Sequence, residues 1–225
     1  MNYQILIPAR GGSKRFPGKN LYQLGELPLI AYTIEFALKS FKSDIIWVNS
    51  DDFNILNEAK KMGINITKRP QNLADDETPT SEVCKYQISE FERLGIKCDA
   101  LIILQVTSPF RPSGLIEKCI SIFEESGRDS LFTVTDFNKK IGFIDRNFYF
   151  PANYTPGQRS QDKKNEYFEN GLLYITKVEA IKKKLILTEN VYPYIVNDIS
   201  CFVDIDYPED ILWAEFVLNR VYNKK

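Results

Sequence analysis

The strongest constraint on the fold is an alternation. Short apolar runs recur along the chain, and between them lie stretches whose apolar residues return every three or four positions. "YQILIPA" (Tyr3 to Ala9) reads as a buried strand. From Pro28 to Phe41 the residues Ile30, Ile34, Ala37, Leu38 and Phe41 share one helical face. The pattern repeats: a strand over 44–50, a helix over 51–63 with acids at its start and Gly at its end, and a short strand over 64–69. A helix over 81–95 leads into "DALIILQ" (Asp99 to Gln105), the most continuous apolar strand, then a helix over 113–127 and a strand over 129–136. Such alternation predicts a doubly wound, mostly parallel α/β sheet, Rossmann-like, covered on both faces and joined by right-handed crossovers.

After Asp136 the pattern changes. Residues 137–170 are aromatic and polar, with Pro and Gly, and read as a hairpin or flap plus an irregular loop. "GLLYIT" returns to the core, "CFVDID" reads as a late strand, and "YPEDILWAEFVLNRVY" as a closing amphipathic helix. The expectation is one domain over 1–225 with a flap at about 137–165.

Composition removes several function classes. A net charge of −1 argues against a general nucleic-acid binder. No run of eighteen apolar residues predicts a membrane span, and the first residues lack the pattern of a secretory leader. Cys84, Cys98, Cys119 and Cys201 are scattered with no CxxC pair, as in reduced cytoplasmic proteins. The chain has no histidine, which excludes Ser-His-Asp triads and the usual zinc sites. Any metal falls to carboxylate oxygen, which favours Mg²⁺ or Mn²⁺.

Against this neutral background, "IPARGGSKRFPGKN" (Ile7 to Asn20) carries four cations, Arg10, Lys14, Arg15 and Lys19, and three glycines, with no acid. A Gly-rich loop at the carboxyl end of the first strand is a setting for phosphate, because glycines let backbone N–H groups form a concave nest. Four neighbouring cations repel one another unless an anion joins them, and a triphosphate meets that demand. The loop has neither the GxxxxGK[ST] nor the GxGxxG spacing.

This stretch resembles the signature of the CMP-sialic acid synthetases, the acylneuraminate cytidylyltransferases. "RPQNLADDETPTSE", "LQVTSPFR", "RSQD…NGLLYI" and "DIDYPED" are similar to further blocks of that family, in the same order. The resemblance implies a nucleotide-diphospho-sugar transferase fold and a homodimer with the flap in its contact. The aromatics Phe143, Phe148, Tyr149, Phe150 and Tyr154 suit burial there. It implies transfer of CMP from CTP to a nine-carbon α-keto acid sugar, an N-acylneuraminate, with release of diphosphate.

Residue by residue, the resemblance puts Ala9, Arg10, Gly11, Gly12, Ser13, Lys14, Lys19, Asn20, Arg69 and Ser81 near the nucleotide. Arg10, Lys14 and Lys19 serve the triphosphate, and Asp206 is catalytic. Gln105, Thr107, Ser108, Arg159 and Gln161 lie toward the sugar. Asp204 and Asp206 are two apart, so an extended backbone sends both carboxylates one way. The residues alone leave two readings, a divalent-cation pair or a cap by Asp206 on the last helix; the resemblance implies the metal. Ser81 has its own rival role as a helix cap, and Asp75-Asp76-Glu77 reads as a solvated acidic loop.

Two departures fall on the sugar side. Ser160 follows Arg159 where many members have adjacent arginines, and Lys139 or Lys140 stands in for a family lysine. They leave legionaminic, pseudaminic or Kdn-type acids as alternative substrates. A non-catalytic nucleotide-binding homologue is the alternative of another class.

Overall fold

The computed structural model of this chain describes residues 1–222. Its strands are β1 (Tyr3–Pro8), β2 (Gln23–Leu24), β3 (Leu27–Pro28), β4 (Ile46–Ser50), β5 (Asn65–Lys68), β6 (Ala100–Ile103), β7 (Ser130–Asp136), β8 (Gly142–Asp145), β9 (Phe148–Pro151), β10 (Tyr167–Lys177) and β11 (Val191–Ile195). Its α-helices are α1 (Leu29–Ser40), α2 (Phe53–Lys61), α3 (Thr80–Leu94), α4 (Leu115–Ser126), α5 (Val178–Lys182) and α6 (Asp210–Val217).

Seven strands form the central sheet in the order β11-β7-β10-β6-β1-β4-β5. All its pairings are parallel except those of β10, which runs antiparallel to both β6 and β7. The mixed α/β architecture with a largely parallel sheet is the one the alternation predicts. Its physical basis is visible in β1: Ile5 and Ile7 join the larger apolar cluster, and Leu6 joins the other with Trp47, Leu101 and Ile103. Both faces are therefore dry, and each such side chain contributes about 1.5–3 kcal/mol.

One expected strand is absent, and β11 together with the short β2–β3 pair is present without having been expected. "CFVDID" does not pair: residues Ile199–Phe202 form a 3₁₀ turn and 203–206 run extended without a ladder. Alternation survives there because Ile205 N–H donates to Thr107 O at 2.8 Å, and Val203 and Ile205 fill the core. The sheet edge is instead β11, which contains Pro193. A proline reads against a central strand, but at an edge its missing N–H leaves no gap in the sheet.

The chain winds outward from β1 through β4 to β5, then returns to place β6 on the other side of β1. The carboxyl ends of β1 and β6 thus flank a topological switch point, where open α/β sheets receive ligands. All four cysteines are free thiols, and burial pushes Cys84, Cys98 and Cys119 up to about 12. Among the described residues no helix is long and apolar enough to cross a membrane.

Candidate active site

A cavity of about 550 Å³ opens at the switch point. Its walls come from the loop after β1, the loop after β6, the segment 69–80 and Asp206. Five cations line it (Arg10, Lys14, Arg15, Lys19, Arg69) against three carboxylates (Asp75, Asp76, Asp206), so its interior carries surplus positive charge.

Backbone anchors hold the first wall. Ala9 N–H donates to Asn49 O at 3.0 Å, Gly11 N–H donates to Asp51 Oδ1 at 3.0 Å, and Asn20 Nδ2 donates to Arg10 O at 2.8 Å. Gly11 cannot be replaced without movement, because a Cβ there would sit 2.7 Å from Asp52 Cβ. Ala9, Gly11 and Gly12 therefore shape the loop but do not line the cavity, and the Gly11 N–H is committed to Asp51. Lys19 is buried; its Nζ donates to Ile205 O at 2.8 Å and to Asp206 Oδ1 at 3.0 Å. Arg15 reaches the other oxygen of Asp206 at 2.7 Å and lies over the Tyr207 ring.

Residues 75–77 are exposed, as a solvated acidic loop requires, and Asp76 in addition forms ion pairs with Arg10 through one oxygen and with Lys14 through the other, the latter at 2.5 Å. Lys14 first and then Arg10 hold its carboxyl below the ordinary carboxylate value. The four loop cations are thus gathered two by two on two acids, Asp76 and Asp206.

At the back, Arg69 is buried and fixed by Asn49: Nε donates to Oδ1 at 2.7 Å and Nη2 to the carbonyl at 3.0 Å. Burial lowers its guanidinium to about 10, so it stays charged at neutral pH. Gln105 and Thr107 form the opposite wall. Arg111 holds that loop through Leu172 O, Gln105 O and the Thr33 hydroxyl. Gly171, at the β10 bulge, has φ +72°, and a Cβ there would meet Ser108 Oγ at 2.9 Å and Gln105 Oε1 at 3.2 Å. The close approach of β10 to Gln105 thus depends on glycine.

Other expected site residues lie elsewhere. Ser81 lies inside α3, whose cap position is Pro79, so it is no helix cap; it lines a second cavity of about 430 Å³. That cavity adjoins the first at Thr80 and Gln105 and is walled by Ile103, Glu169, Tyr174 and Leu185–Leu187. Ser108 is buried, its hydroxyl donating to Asn170 O at 3.3 Å, and it lines neither cavity. Arg159 and Gln161 are exposed on the irregular loop; Arg159 pairs with Asp162 at 3.4 Å, and neither residue lines either of these two cavities. Lys140 donates to Gln158 O, and Lys139 is exposed.

Asp206 does not cap the last helix. The relation is reversed: Asp210 Oδ2 accepts from the backbone N–H groups of Asp206 and Tyr207, each at 2.8 Å. Asp204 keeps an exposed edge, yet its carboxyl is raised by the protein mass around it; Asp206 and Asp210 raise it further, while Thr107 and Lys19 oppose them. Asp206 lines the cavity with its two oxygens on Lys19 and Arg15, and Asp204 lies outside that lining; a cation beside the pair would favour both ionised carboxylates, and hard oxygen donors suit Mg²⁺ or Mn²⁺. Among the described residues no group of three or more His, Cys, Asp or Glu converges, so water and phosphate oxygens would complete the shell.

A family model described as cytidylyltransferase matches residues 4–223. The chain is 33% identical over 222 residues to a CMP-N,N'-diacetyllegionaminic acid synthase of Legionella pneumophila, covering 95% of this chain and 94% of that one. It is 30% identical over 228 residues to a pseudaminic acid cytidylyltransferase of Campylobacter jejuni, covering 96% of each. An N-acylneuraminate cytidylyltransferase of Streptococcus agalactiae is 27% identical over 216 residues, 92% of this chain but 51% of that protein. The chain thus spans nearly the full length of the first two relatives and about half of the third. Among solved structures, a CMP:2-keto-3-deoxy-manno-octonic acid synthetase complexed with CTP superposes with a TM-score of 0.74 at 16% identity, covering 97% of this chain and 99% of that one. At that identity the likeness concerns the fold.

Proposed function

The chain belongs to the cytidylyltransferase family, whose members are nucleotidyltransferase enzymes, and from that premise we propose that it joins CTP to a nonulosonic acid, releasing diphosphate. One observation carries the reading. The cation loop, the Gln105–Thr107 wall and Asp206 line a single cavity at the switch point of the sheet.

The triphosphate lies along Arg10, Lys14 and Lys19, with Ser13 beside them and Asn20 and Arg69 toward the nucleoside. The sugar acid lies across Gln105 and Thr107, toward the second cavity where Ser81 sits. Its anomeric hydroxyl attacks the α-phosphorus, giving up its proton to water, and the bond to the diphosphate breaks. Negative charge grows on the α-phosphate oxygens and on the departing diphosphate. Fixed cations aimed at those oxygens stabilise that charge without reorganising. Asp206 steers Lys19 and Arg15 toward it. Asp204 and Asp206 would hold Mg²⁺ or Mn²⁺, which supplies charge neutralisation and orientation at the phosphates.

An N-acylneuraminate is the first substrate reading. A legionaminic- or pseudaminic-type acid is the second, supported by the end-to-end match to relatives bearing those names. The protein is read as a cytoplasmic homodimer, with residues 142–151 in the contact. Support comes from β8–β9, whose Phe143, Ile144, Phe148, Tyr149 and Phe150 are all exposed. Arg159 and Gln161, outside the two cavities described, would then serve sugar bound across that contact.

Diphosphate release from CTP, measured across a panel of N-acylneuraminic, legionaminic, pseudaminic and Kdn-type acids with Mg²⁺, tests the reading. One acid should exceed the others by at least about tenfold in kcat/KM, as buried polar contacts discriminate. Absence of release with every acid would refute it.

A further inference from the structure

Asp76 is set in place by its neighbour. Asp75 Oδ1 accepts from Glu77 N–H at 3.1 Å, from Thr78 N–H at 2.6 Å and from the Thr78 hydroxyl at 2.5 Å. This Asx-type turn presents Asp76 to the cavity as part of a preformed loop. Its side chain is 25% exposed and spans Arg10 and Lys14, one oxygen to each. Those are two of the three cations that the proposed function gives to the phosphates. A carboxylate that spans both cations repels phosphate oxygens brought to the same pair and takes up their facing donors.

We infer that Asp76 is a positioning residue for the nucleotide: an internal counter-anion that holds Arg10 and Lys14 in a receptive arrangement, yields them to the β- and γ-phosphates, and reclaims them as diphosphate leaves. The inference rests on the proposed function. It has a thermodynamic signature. Every ligand that needs both cations must displace the carboxylate and is weakened by the same factor. A ligand with a single phosphate next to Lys19 is not weakened. Partly exposed ion pairs of this kind correspond to about a threefold to tenfold effect for the two together.

The test is calorimetric titration of the whole chain with inorganic diphosphate, and separately with CMP, in metal-free buffer. Asp76→Asn should bind diphosphate about threefold to tenfold more tightly than the unaltered protein, with CMP affinity unchanged. Glu77→Gln makes the same charge change on the same loop without touching Arg10 or Lys14, and should leave both affinities within about twofold. Asp76→Ser repeats the measurement with a smaller side chain should the amide disturb the turn. Diphosphate binding that is unchanged or weaker in both Asp76 variants overturns the inference. If Arg10→Ala loses diphosphate affinity while the Asp76 variants match the unaltered protein, the inference fails and the nucleotide reading stands. If Arg10→Ala also binds diphosphate normally, both fall.

Discussion

Residues 9–20 and residues 137–165 are both polar excursions from strand ends, and they finish in opposite conditions. The first is tied down inside its own chain: Asn49, Asp51 and Ile205 take its donors, and Asp76 and Asp206 take its charges. The second carries β8–β9, a two-stranded ribbon turned by Arg146 and Asn147 at positive φ, with Phe143 and Phe150 stacked 5.3 Å apart in the open. An isolated hairpin of this kind is marginal in water. What the comparison teaches is that the nucleotide end is preorganised by one chain, while the other end presents apolar surface that this chain does not cover.

The sharpest test of that contrast is Asp206→Asn. Turnover should fall about 10²–10³-fold with CTP and the preferred sugar acid, since one charge-stabilising group is worth that much. Chelation of divalent ions should reproduce a loss of the same order. Turnover near that of the unaltered protein would separate the cation loop from the chemistry.

Phe148→Ser probes the other region. It should weaken the proposed self-association about thirtyfold in sedimentation velocity, the effect of about 2 kcal/mol at a central aromatic. CTP affinity should stay within about twofold in the monomer, because the loop is completed by its own chain. A loss of CTP affinity on dissociation would erase the distinction between the regions.

Arg159→Ala should raise the KM of the sugar acid about tenfold, the scale of one charged hydrogen bond, and leave the KM of CTP alone. Steady-state kinetics with either substrate varied would show the split. The smallest effect belongs to Asn153→Ala. Asn153 Oδ1 accepts from Ile141 N–H at 2.9 Å and its Nδ2 donates to Lys139 O at 3.0 Å, tying the base of the ribbon. Hydrogen exchange at Ile141 should quicken by a factor corresponding to about 1 kcal/mol, with β1 amides unaffected.

Much of this was legible in the chain. The central-sheet strands between 3 and 136 appeared as apolar runs because both faces of a largely parallel sheet are buried, a local signal; the short β2–β3 pair gave no such signal. The cation loop stood out because four like charges in one stretch need an external reason. Other features were hidden because they depend on partners distant in sequence. Asp76 resembled any acid in a polar loop until the fold brought the loop after β5 against the loop after β1. Ser81 and Ser108 stood in promising motifs, but the side of α3 and the depth of the β6 loop decided where their hydroxyls went. The strand expected at 201–206 begins in a 3₁₀ turn and has no ladder neighbour, and β11 was masked by its own proline.

The sequence by itself determined a two-faced α/β sheet and a cationic loop at the end of its first strand, because burial periodicity and charge density are properties of neighbours along the chain. Tertiary structure alone decided which acid meets which cation, that β10 enters antiparallel, and that the hairpin aromatics stay uncovered. Those outcomes follow from packing and Coulomb contact between segments far apart in sequence, where short-range pattern carries no information.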